Sequence, residues 1–140
     1  MSKPKQFHLE ISSDMTNLEP VSNFMLDVAR QIGLDEKQTD HVQMAVDEAV
    51  TNVMEHAYSG RADGRIEIVC RADTRALHIE IRDQGEPFDA DTIQEPDISK
   101  PLSERAIGGL GVFFMRKLMS NVEFTRDAGG NLTRLTLNLK

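Results

Sequence analysis

The stretch Val42-Gln-Met-Ala-Val-Asp-Glu48-Ala-Val-Thr-Asn52-Val-Met-Glu-His56-Ala-Tyr58 carries two patterns at once. Its apolar residues Val42, Ala45, Val46, Ala49, Val50 and Val53 recur every three or four positions, the stripe of an amphipathic helix. Its polar residues Glu48, Asn52 and His56 recur at i, i+4 and i+8. Because a helix turns ~100° per residue, this line drifts only ~40° per step and follows one edge of the stripe. Glutamate at such a spacing is common on any solvated helix face, and that reading stands open. Asparagine weighs against it: it is a poor interior helix former, and its carbonyl is a hard oxygen ligand that magnesium accepts alongside phosphate oxygens and water.

Working outward, Asp35 with Gln38 three residues later reads as a capping box that starts this helix, which is expected to run to about Tyr58. Upstream, Val21, Phe24, Met25, Val28, Ala29 and Ile32 predict a first helix over Val21 to Ile32, with Pro20 in its opening turn and Gly33 closing it. Phe7, Leu9 and Ile11 alternate with polar residues in a strand ending at Ser12 and Ser13. Downstream, Ser59, Gly60, Asp63 and Gly64 mark a turn, and Ile66, Ile68 and Cys70, then Leu77, Ile79 and Ile81, predict an antiparallel hairpin. Gln84 to Gly108 holds Pro87, Pro96 and Pro101 with little periodicity; a loop so long in a compact domain is usually functional. Val112 to Met119 suggests a helix opened by glycine, and a last hairpin turns around Gly129 and Gly130. The order β, α, α, β, β, loop, α, β, β predicts an α+β two-layer sandwich: one mixed, mostly antiparallel sheet with helices on one face.

The 140 residues are read as a single domain, long enough to bury roughly 68% of the unfolded surface. A formal net charge of -7 with no clustered basic face argues against nucleic-acid binding. The lone Cys70 lies in an apolar run and reads as a small core residue. No apolar run approaches ~18 residues, so the expected protein is soluble and cytoplasmic, without a membrane partner.

Two further constellations carry chemistry. In Asp83-Gln-Gly85-Glu-Pro-Phe88 a carboxylate ends a strand and a glycine follows. Such a carboxylate can accept a hydrogen bond from an exocyclic amine, and Gly85 would let a flat ligand lie against the backbone; Asp-x-Gly is also ordinary turn chemistry. Gly108-Gly109-Leu110-Gly111 opens the third helix, where bare backbone N–H groups and the helix dipole favour an anion. It neither follows a strand as a Rossmann loop would nor carries the lysine of a P-loop.

Taken in order, Glu-x-x-x-Asn-x-x-x-His-Ala-Tyr, Asp-x-Gly-x-Pro-Phe and Gly-Gly-Leu-Gly resemble the GHKL, or histidine kinase-like, ATPase superfamily over nearly the whole chain. Within it the chain looks most like the anti-sigma-factor serine/threonine kinases of bacterial partner-switching systems, with a Bergerat-type ATP-binding fold. The resemblance implies ATP and Mg2+ as cofactors, Glu48 as general base, Asn52 as magnesium ligand and Asp83 as the carboxylate that reads the adenine amine. It counts His56 of the helix motif among the nucleotide-binding residues, and places Gly85 beside the base and Gly108, Gly109, Leu110 and Gly111 at the phosphates. Arg105 sits where the lid makes phosphate or partner contacts, and Thr133 matches a threonine that reaches the adenine pocket through water. It further implies a STAS-type anti-anti-sigma protein as phosphorylation substrate, a sigma factor as the sequestered partner, and a homodimer. Two other readings remain at this stage: a partner-switching kinase with a non-sigma output, and an ATP-binding module without turnover.

Overall fold

The computed structural model describes residues 5–87 and 109–139, with residues 109–111 described by their backbone alone. The chain order is β1 (Lys5–Ser12), α1 (Leu18–Ile32), α2 (Glu36–Asn52), β2 (Arg65–Ala72), β3 (Ala76–Asp83), α3 (Gly109–Leu118), β4 (Asn121–Asp127) and β5 (Gly130–Asn138). The five strands form one sheet in the order β1-β2-β3-β5-β4. All four pairings are antiparallel, so the parallel pairing that a mixed sheet would contain does not occur among the described strands. The reason is connectivity. Between β1 and β2 the chain makes two helices, and a helical pair returns the next strand in the opposite sense. The single-helix connection from β3 to β4 would give parallel neighbours, but β5 inserts between them.

Helix α1 begins three residues before the expected Val21, after a 3-10 turn over Met15–Asn17 capped by the Asp14 side chain. Pro20 falls within its first turn, where a missing N–H leaves no bond unmade. Gly33 closes it at φ 79°, and the N–H of Leu34 returns to Ala29 O at 2.9 Å. Helix α2 opens with the reciprocal capping box: Gln38 N donates to Asp35 Oδ1 at 2.7 Å and Asp35 N to Gln38 Oε1 at 3.1 Å.

The apolar stripes of α1 (Val21, Met25, Val28) and α2 (Val42, Val46, Val50) are buried against Ile66, Ile68, Cys70, Leu77, Ile79, Ile81 and Leu135 of the sheet. Cys70 is fully buried, which pushes its thiol up to about 12 and leaves it protonated and inert. The other face of the sheet carries charge in pairs: Arg65 with Glu10 and Glu67, Glu80 between Arg71 and Arg134, and Arg82 with Asp127. Exposed pairs of this kind contribute about 0–1 kcal/mol each, so burial of the helix-facing side supplies the stability.

After Asn52 the helix does not continue unchanged to Tyr58. Residues Val53–Ala57 form a π turn, closed by Tyr58 N donating to Val53 O at 3.0 Å. Tyr58 is buried, and its hydroxyl donates to Arg65 O at 2.5 Å and accepts from Gln84 N at 2.8 Å. One side chain therefore ties the end of the helix to the start of β2 and to the exit from β3. Tyr58→Phe strands both backbone groups and is expected to lower the free energy of unfolding by about 1–3 kcal/mol. Urea denaturation measures this, and an unchanged midpoint would refute the tie.

Candidate functional site

On β3 every second residue faces the helices: Leu77, Ile79 and Ile81 are fully buried, and the next position in the alternation is Asp83, only 2% exposed. The periodicity that builds the core thus delivers a carboxylate to the core face. The register sets Asn131 of β5 opposite Asp83 and Arg126 of β4 opposite Asn131. Two residues along the same face of β5 comes Thr133, also buried. At this end of the sheet the helix-facing side turns polar, and the C-terminal end of α2 lies over it. Asn52, Asp83, Asn131 and Thr133, with Phe124 and Leu132, line a narrow cleft.

The polar groups are tightly connected. Asp83 Oδ1 accepts from Asn131 Nδ2 at 2.8 Å and from Gly85 N at 2.9 Å; neither bond uses Oδ2. Asn131 Nδ2 also donates to Glu86 O at 2.8 Å, and Arg126 Nη1 donates to Asn131 Oδ1 at 2.8 Å. Burial raises the Asp83 carboxyl above its ordinary range, opposed by the Asn131 and Gly85 hydrogen bonds and by the charge of Arg126. Asn52 is 6% exposed, and its carboxamide nitrogen has no hydrogen-bond partner among the described residues. An orphaned buried amide costs about 1–3 kcal/mol, so a polar group held over this cleft without a partner is a strain that a bound ligand can relieve.

One helical turn before Asn52, Glu48 is partly exposed. Its carboxyl is raised first by burial and then by the charges of Asp47 and Glu55. Residues that stood apart in the sequence, Asn52, Asp83 and Thr133, meet in one cleft. Glu48 shares the helix of Asn52 but does not line that cleft, and His56, partly exposed in the π turn, does not line it either. Glu48 and Asn52 keep the i, i+4 spacing of α2, and the π turn over Val53–Ala57 interrupts that spacing before His56.

Gly85 has a use other than approach by a flat ligand. A methyl group at this position would overlap the Ala57 carbonyl, and Glu86 N donates to that carbonyl at 2.7 Å. The glycine is required so that the exit of β3 can dock on the helix end. Gly109, Leu110 and Gly111 form the first turn of α3, while Arg105, Gly108 and most of the expected lid lie outside the described residues.

Sequence reasoning missed Asn131, Arg126 and the tie made by Tyr58. A signal for Asn131 was present: it continues the alternation of Thr133, Leu135 and Leu137 and so belongs to the core face, where a carboxamide needs a partner.

The fold is thus a two-layer sandwich whose core face ends in a polar cleft, and the comparison with family models gives its class. The histidine kinase-like ATPase domain matches residues 11–137, and the chain belongs to that family. Among curated proteins it is similar to the serine-protein kinase RsbW of Halalkalibacterium halodurans, 34% identical over 106 residues that cover 73% of this chain and 64% of the relative. The chain therefore spans a little under two thirds of that relative's length. RsbW of Listeria monocytogenes is 30% identical over 73% of this chain and 68% of its own length. RsbW of Bacillus thuringiensis is 27% identical over 92% of this chain and 82% of its own. Among solved structures, the RsbU and RsbW domains of a Mycobacterium tuberculosis protein superpose with a TM-score of 0.65 at 19% identity. That match covers 95% of this chain and 32% of the other, and it supports the fold.

The raised Asp83 carboxyl makes a stability prediction. A folded-state pKa above the unfolded value means that the folded protein holds the proton more tightly. The stabilisation is complete below the unfolded pKa and is lost as pH rises through the folded one. At neutral pH the ionised group works against folding, and Asp83→Asn, which keeps an oxygen for both donors, is expected to unfold at the same temperature or higher. Calorimetry at pH 7 decides, and a marked loss would contradict the account.

Proposed function

We propose that this chain is an ATP-dependent serine/threonine protein kinase and anti-sigma regulator. In this reading it phosphorylates a STAS-type anti-anti-sigma protein and sequesters a sigma factor while that antagonist is phosphorylated. The observation that carries the reading is the buried Asp83 carboxylate, presented in a cleft beside the orphaned Asn52 amide. The names of the relatives, serine-protein kinase RsbW, support the reaction type. A homodimer and a cytoplasmic site of action belong to the same proposal, the transcription machinery being there. Among the described residues no helix is long and apolar enough to cross a membrane.

Asp83 accepts a hydrogen bond from the exocyclic amine of adenine, and Thr133 lines the same pocket. The first turn of α3, opened by Gly109, offers backbone N–H groups without intrahelical partners to the phosphates. The carboxamide oxygen of Asn52 would hold Mg2+, which would take its remaining ligands from phosphate and water and neutralise phosphate charge, while the unpartnered nitrogen of the same group is a donor free for a ligand acceptor. Glu48 takes the proton of the acceptor serine or threonine hydroxyl as that oxygen bonds to the γ-phosphorus and ADP leaves. Burial, with the charges of Asp47 and Glu55, raises its pKa and so brings the carboxylate's basicity nearer to the working pH.

Replacement of Glu48 by Gln should slow phosphoryl transfer to the STAS protein by about 10²- to 10⁴-fold while nucleotide affinity stays near wild type. The wild-type rate should also fall as pH is lowered through the raised Glu48 pKa, because the base must be unprotonated. Transfer assays with radiolabelled ATP read both, and undiminished transfer by Glu48→Gln would remove the residue from the mechanism. Recovery of a STAS protein from extract without any sigma factor would redirect the output elsewhere.

A further inference from the structure

Asn131 uses its whole carboxamide to fix the group opposite it. Its nitrogen donates to Asp83 Oδ1 and to Glu86 O, both at 2.8 Å, which spends both N–H groups. Its oxygen accepts from Arg126 Nη1 at 2.8 Å, and the same guanidinium nitrogen reaches Gly85 O at 3.4 Å. Turned over, the amide would point its oxygen at a carboxylate and a carbonyl and its NH2 at a guanidinium. The orientation is therefore determined, and a chain runs from guanidinium through carboxamide to carboxylate.

The chemical consequence concerns what Asp83 can offer. A carboxyl taken out of water tends to keep its proton, and in that state it carries an O–H donor. Two N–H donors on Oδ1, with a positive charge one residue beyond, favour the ionised, acceptor-only form. A 6-amino purine presents a donor to such a group; a 6-oxo purine presents an acceptor. An acceptor-only carboxylate binds the first and repels the second, whereas a protonated acid can bond to either.

We propose that Asn131 and Arg126 are a positioning pair that holds Asp83 as an acceptor-only group, so that the cleft selects 6-amino over 6-oxo purine nucleotides. The inference rests on the assignment of Asp83 to the base made above.

Calorimetric binding of ATP and inosine triphosphate to the wild type, Asn131→Ala, Arg126→Gln and Asp83→Asn tests it. Both pair variants should bind ATP at least about tenfold more weakly. They should bind inosine triphosphate as well as the wild type or better, which a merely structural loss would not produce. Arg126 is exposed, so Arg126→Gln keeps the question answerable should Asn131→Ala fold poorly. Equal weakening of both nucleotides, with the ratio intact, overturns the pair's role. A lost ratio in Asp83→Asn beside an intact one in both pair variants overturns the pair alone. An intact ratio in Asp83→Asn removes Asp83 from the base, and the inference with it.

Discussion

Everything in this molecule depends on one substitution of character: Asp83 stands where the alternation of a core strand would otherwise place an aliphatic side chain. A carboxylate there costs desolvation, and the surroundings are arranged to offset that cost. Asn131 and the Gly85 N–H converge on one of its oxygens, and Arg126 stands behind Asn131. The backbone around it is equally constrained. Gly85 must lack a side chain to meet Ala57, and Gly130 must lack one because a methyl group would overlap the Asp83 carbonyl. Such an arrangement is stability given up locally for a polar group in a dry place, the pattern expected of a binding site.

The helix above is built to serve the same end. Its capping box fixes the start, its apolar stripe seats it on the sheet, and the π turn at its end lets Tyr58 tie β2 to the exit of β3. The tie fixes the spacing between Asn52 and Asp83, which lie on different layers. The cleft between them is thus a consequence of helix-on-sheet packing rather than of a separate loop. That explains how so small a core supports both a hydrophobic interior and a buried polar cluster.

Much of this was legible in the residues. Period-two runs marked the strands, period-3.6 stripes the helices, and Gly33 and the Asp35–Gln38 box their ends. Glu48, Asn52 and Asp83 were readable as chemistry because each is a residue type that its element does not need. The register was not legible: nothing local says that β5 lies between β3 and β4, and without that order Asn131 and Arg126 cannot be set beside Asp83. The π turn was hidden for a related reason. It answers a tertiary demand, the docking of the helix end on Gly85, and a helical pattern of side chains is blind to it.

The central claim is that the polar end of the core face is where a nucleotide is held. The most direct test follows the side-chain amide resonances of Asn52 and Asn131 by two-dimensional ¹⁵N NMR during titration with Mg-ATP. Saturable shifts of both NH2 pairs, together with the backbone amide of Gly85, are the predicted result. Saturable shifts confined to the paired-charge face of the sheet, or unmoved resonances at millimolar nucleotide, would contradict the account.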